Sequence, residues 1–91
     1  MNIKQLSWSE KYMLSLTEEM TGKDIMKLRG VSFSKAQIIR NKAVEYCLIH
    51  DIEIGAKKVP TEVVLIVTGH DINYYYEKML LEAKQVRYEC I

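Results

Sequence analysis

The sequence predicts a mostly α-helical chain with one small β-ribbon. Three observations predict it. Two capping patterns, Thr21 with Asp24 and Ser34 with Gln37, each open an amphipathic segment. The stretch "IEIGAKKV" alternates apolar and polar residues around Gly55 and resumes, the pattern of a two-stranded ribbon with a tight turn. A C-terminal run of apolar residues repeats at heptad-like spacing. The 91 residues suffice for one domain, 1–91, with a core over 21–69 and a C-terminal helix over 70–91.

The opening "SEKYMLSLTEEM" has mixed periodicity and reads as a loop or short strand through Leu16, then a turn of helix. Thr21 caps the next helix, where Asp24 places negative charge near the amino end. Ile25, Met26 and Leu28 are that helix's apolar residues, and Gly30 ends it.

Ser34 begins "SKAQ", the Ser-x-x-Gln capping box, so a second helix is expected to start there. At 100° per residue Ala36, Ile39, Ala43 and Cys47 share one stripe, with Tyr46 at its edge. The opposite face carries Gln37, Ile38, Asn41 and Glu45. Lys35 and Lys42 lie on one flank, and Arg40 lies nearer the stripe. The small Ala36 and Ala43 allow a neighbouring element to come close.

After the ribbon, with Lys57 and Lys58 on its return arm, Pro60 suits the first position of a helix over "TEVVLIVT". That helix is apolar nearly all round, so burial is expected. Asp71 caps the last helix, "INYYYEKMLLEAKQVRYE". Along it Ile72, Tyr76, Met79, Ala83, Val86 and Cys90 form a seam that serves either as an internal docking face or as a homodimer contact. Tyr74, Tyr75 and Tyr76 point about 100° apart and cannot form one stacking platform for a single strand. Core packing or contact with a partner is expected of them.

Composition narrows the function. Hydrophobic residues make up 48% of the chain and charged residues 27%, an ordinary globular balance. Apolar runs such as "VVLIV" are too short to span a bilayer, and the polar start does not resemble a signal peptide. A cytoplasmic protein with reduced thiols is expected. Cys47, Cys90, His50 and His70 are scattered, so neither a metal nor another cofactor is expected. GxSxG, phosphate-cradling glycine loops and HExxH are absent, and no catalytic residue is assigned.

The net charge is only +1, but its distribution is uneven: residues 22–58 carry +4, residues 1–21 carry −1 and residues 59–91 carry −2. A basic middle would aim a polyanion at one surface. Lys35, Arg40 and Lys42 suit phosphates, as do the backbone N–H groups at the amino end of the Ser34 helix. Gln37 and Asn41 each offer a donor–acceptor pair to adenine, and Ile38 between them can meet a thymine methyl. Lys57 and Lys58 suit the flanking backbone. The competing reading makes this a solvated face, with Ile38 meeting protein.

The order of parts resembles the excisionase-like winged helix-turn-helix proteins of phages and integrative elements. "WSEKYMLSLTEEM" is similar to the opening of conjugative-transposon excisionases. "DIMKLRGVSFSKAQIIRNKA" resembles their helix-turn-helix, and "IEIGAKKVPTEVV" their wing and following helix. The resemblance runs from Trp8 to Gly69. This chain departs from it in being nearly neutral and in carrying the extra C-terminal helix. The resemblance implies non-enzymatic, sequence-specific binding of double-stranded DNA, in recombination beside an integrase or in transcription regulation. Ser34, Lys35, Gln37, Ile38, Arg40, Asn41 and Lys42 would then meet DNA from the second helix, with Lys57 and Lys58 in the wing. The alternative is a protein-interaction module binding a host or phage protein. Its contact residues, shared with the expected homodimer, would be Ile72, Tyr75, Tyr76, Met79, Ala83 and Val86.

Overall fold

The computed structural model describes the backbone of residues 6–89 and the side chains of residues 6–84. Its elements in order are α1 (Trp8–Ser15), β1 (Glu19–Met20), α2 (Gly22–Arg29), α3 (Phe33–Ile49), β2 (Val59–Pro60), α4 (Thr61–Thr68) and α5 (Ile72–Glu89). The fold is mostly α with one small antiparallel sheet, in which Met20 pairs with Val59 and Glu19 with Pro60.

The first element differs from expectation. The helix comes first and the strand after it, because Ser7 and Glu10 form a capping box that starts α1 at Trp8. The Ser7 hydroxyl accepts from the Glu10 N–H, which satisfies an otherwise orphan amide. Lys11 and Ser15 are buried on the same helix. The Lys11 ammonium sits 4.4 Å from the Trp8 ring centroid, so a cation–π contact accompanies its burial.

The Thr21–Asp24 capping box opens α2 as expected, and Gly30 closes it in the left-handed region at φ 63°. At that angle a Cβ would be strained, so Gly30 suits the tight turn into α3. Ser34 is not the cap of α3. Ser32 stands in extended backbone and accepts from the Lys35 N–H at 3.4 Å, so the helix starts at Phe33 and Ser34 lies inside its first turn. The sequence offers two serines two residues apart, and the one that follows the left-handed turn directly takes the cap. Ala36, Ala43 and Cys47 are fully buried and Ile39 partly so, as the stripe predicts. At the far end of α3, Asp51 occupies the left-handed region and the Ile52 N–H returns to the Cys47 carbonyl at 2.8 Å, a Schellman-type closure.

The ribbon expected over "IEIGAKKV" does not form. Residues 52–58 are irregular, and the Val59 backbone pairs with Met20 from the other end of the core. Ile54 turns inward against the core, which fixes the loop from below. Pro60 precedes α4 rather than opening it, and the strand register continues into the Thr61 N–H, which donates to the Glu18 carbonyl at 2.9 Å.

Val63, Val64 and Leu65 of α4 are buried, but Ile66 is 49% exposed, so this helix is not enclosed all round. Asp71 caps α5 through the Tyr74 N–H at 2.9 Å. The Trp8 N–H donates to Glu82 and the Tyr12 ring lies 5.5 Å from that of Tyr76, so α1 and α5 pack antiparallel. The core centres on Met20, Ile25, Leu28, Ala36, Ala43, Val59, Val64 and Tyr75, and joins the helix–turn–helix pair to both terminal helices.

Candidate nucleic-acid interface

Among the described residues, nothing covers one long face of α3. Its N-terminal half presents Ser34, Ile38 and Asn41, all exposed, and Ile38 retains 56% of its surface despite being apolar. Lys35 and Lys42 project along one edge of this face and are exposed as well. By helical geometry the other edge belongs to Gln37, Phe33 and Arg40. Gln37 is only half-exposed, and its Nε2 lies 3.5 Å from where a Cβ on Gly22 would stand, so the amide leans on the start of α2.

That second edge overhangs a cleft of about 460 Å³ between α2, α3 and the 52–58 loop, lined among others by Lys23, Phe33, Gln37, Arg40, Ala56 and Lys57. One Arg40 Nη2–H is committed to the Ala56 carbonyl at 3.0 Å. The side chain expected to meet phosphate therefore also tethers the loop to α3. Lys57 lines the cleft and Lys58 follows it, both exposed, so the loop supplies positive charge without forming a ribbon.

The resulting surface has an ordered layout. A strip of small, apolar and amide side chains runs along α3, with Lys35 and Lys42 on one side and Lys23, Arg40 and Lys57 on the other. An α-helix with its side chains is about 10–12 Å across, close to the width of a DNA major groove. Bases on both flanks can thus reach the two phosphate backbones while the strip faces the base edges. Glu45, exposed further along α3, adds a negative charge there, so the positive charge of this face is concentrated at its N-terminal half.

Lys23 and Phe33 were not singled out from the sequence. Lys23 counted only toward a regional charge, and the exposed Phe33 was hidden by the misplaced start of α3. Which wall of a cleft a lysine joins depends on how α2 and α3 pack, and spacing along the chain does not carry that information.

The residues expected to meet a protein partner divide. Tyr75 is 1% exposed and belongs to the core, which removes it from any partner surface. The reason is its neighbours, since Trp8 of α1 and His70 of the α4–α5 turn pack their rings near that of Tyr75. Ile72, Tyr76 and Ala83 lie to one side and stay exposed, Met79 is half-buried, and the Val86 side chain and Cys90 fall outside the described residues.

A polar junction joins α2 to the α4–α5 turn. Arg29 Nη1 contacts His70 Nδ1, and the His70 ring stacks on Tyr74 at 4.0 Å and 10°. Burial and the adjacent Arg29 guanidinium hold the His70 pKa below its ordinary value, against a smaller opposing pull from Asp71. Burial raises the Tyr75 phenol, with Arg29 acting the other way. The Tyr75 hydroxyl and Arg29 Nε are both buried without a hydrogen-bond partner. Burial likewise raises the Cys47 thiol, which keeps it protonated and unreactive.

Among the described residues there is no group of three or more potential metal ligands, and no helix is long and apolar enough to cross a membrane. No family model, curated protein or solved structure matches the chain.

Proposed function

We propose that the chain is a non-enzymatic, sequence-specific binder of double-stranded DNA, working in the cytoplasm of its host. Its role would be that of an excisionase-like accessory to a recombinase, or a transcription regulator, of a phage or integrative element. The observation that carries the reading is the α3 strip of Ser34, Ile38 and Asn41, exposed and flanked on both edges by bases from three parts of the chain. An exposed isoleucine between polar residues is available to a thymine methyl. The amino end of α3 offers a further phosphate site through the N–H groups that the Ser32 cap does not take up.

Fluorescence anisotropy on duplexes from the element that encodes the chain tests this. With about five phosphate contacts, log affinity should fall against log salt with a slope near −4.5. Replacing Lys35 and Lys42 together by alanine should reduce that slope by about 2 and weaken cognate and unrelated duplexes alike. Absence of binding at low salt would remove the reading.

A further inference from the structure

A second concave surface lies on α1, α4 and α5 and shares no residue with the basic cleft. Two adjoining hollows of about 440 and 420 Å³ have Glu62, Leu65 and Ile72 in common. Their apolar floor is Leu16, Leu65, Ile66 and Ile72. Leu16 and Ile66 are each 49% exposed, although the packing of α4 leaves its neighbours Val63 and Val64 enclosed. Tyr76 and Leu80, exposed one and two turns beyond Ile72 on α5, prolong the strip by about 12 Å. An apolar run of this length, open on a small soluble domain, marks an interaction surface.

Charge decides what fits there. Glu18, Glu62 and Asp71 line the two hollows, and among the described residues no lysine or arginine does. A second copy docking isologously would set these carboxylates against themselves, which disfavours a dimer through this face. We propose that this groove binds an amphipathic helix of a partner protein, one with an aliphatic stripe bordered by lysine or arginine. Such a helix lays its stripe on Leu65, Ile66 and Ile72 while its bases meet the three carboxylates. DNA on the α3 face and a basic helix on this face can be held at once, because the two surfaces are built from different residues.

The test is to pan a random helical-peptide display library against the immobilised full chain and to measure the enriched peptides by anisotropy. The expected result is enrichment of aliphatic residues at i, i+3 or i+4 and i+7 with flanking Lys or Arg. Affinity should fall at least tenfold on Ile66→Ser and on Glu62→Lys, with DNA binding unchanged in both variants. Both positions are exposed, so the variants should fold, and circular dichroism checks this. Enrichment of acidic peptides, peptides indifferent to both substitutions, or no enrichment overturns the proposal. So does self-association of the chain that Ile66→Ser abolishes, which would assign the groove to a second copy. Loss of DNA binding in an unrelated assay leaves this outcome untouched, so the two readings fail separately.

Discussion

Arg40 on α3 donates to the Ala56 carbonyl of the 52–58 loop at 3.0 Å, and this bond holds the loop's lysines beside the exposed strip of α3. Because the loop has no strand pairing of its own, its position depends on that bond from above and on Ile54 from below. Arg40→Ala should therefore cost little global stability, about 0.5–1.5 kcal/mol for one partly exposed hydrogen bond. It should nevertheless weaken DNA binding by more than one phosphate contact. Amide exchange across residues 53–58 should accelerate in the variant while exchange in α2 and α3 stays unchanged. Unchanged exchange in the loop would show that Ile54 alone fixes it.

Asn41 and Gln37 are chemically alike and differently placed. Asn41 is exposed on the strip, whereas Gln37 rests against Gly22. Asn41→Ala should thus relax preference at one base pair by about 1–3 kcal/mol, the worth of a bidentate amide–adenine contact. Gln37→Ala should change sequence preference less. A binding-site selection with each variant measures both, and equal losses would contradict the placement.

The contrast between these amides also shows where the sequence was legible. Thr21 with Asp24, Gly30 and Asp71 marked their boundaries correctly, because a cap is a local event decided within four residues. The buried stripe Ala36, Ala43, Cys47 was equally clear, since helical periodicity alone places it. The same local logic would have found α1: "SWSE" is a Ser-x-x-Glu box, obscured by the polar residues around it. The pairing of Met20 with Val59 was not accessible in this way. It joins residues far apart in the chain, and the alternation of "IEIGAKKV" suggested a nearer partner for Val59. The burial of Tyr75 rather than Tyr76 likewise depends on which ring meets Trp8 and His70 once α1 packs on α5. Three adjacent tyrosines give no hint of that choice.

Tyr75 offers a stability test that separates core from partner contact. Its hydroxyl is buried and makes no well-formed hydrogen bond, with only the neighbouring Arg29 guanidinium to offset the loss of water, so folding removes it from solvent with little compensation. Tyr75→Phe keeps the ring against Trp8 and His70 and deletes the orphan group. The substitution should be neutral or stabilising by up to about 1 kcal/mol in chemical denaturation. Tyr75→Ala should instead cost about 3–5 kcal/mol, as for loss of a core aromatic. A clear loss on Tyr75→Phe would mean that the hydroxyl serves Arg29 better than its geometry indicates.

His70 should make the α2–α5 junction sensitive to acid. Arg29 Nη1 donates to His70 Nδ1, which must be the unprotonated nitrogen for that contact to form. Burial, then the neighbouring guanidinium, depress the folded-state pKa below the ordinary value near 6.5. Between the two pKa values the unfolded chain binds the proton and the folded chain does not, so stability rises with pH across that window. The contribution is complete above the unfolded value and lost as pH falls through the folded one. Melting temperature measured from pH 8 down to pH 5 should therefore begin to drop below about pH 6.5. His70→Gln keeps an acceptor for Arg29 but cannot titrate, and should flatten the upper part of that drop. Profiles that coincide for the native chain and His70→Gln would place the acid sensitivity elsewhere.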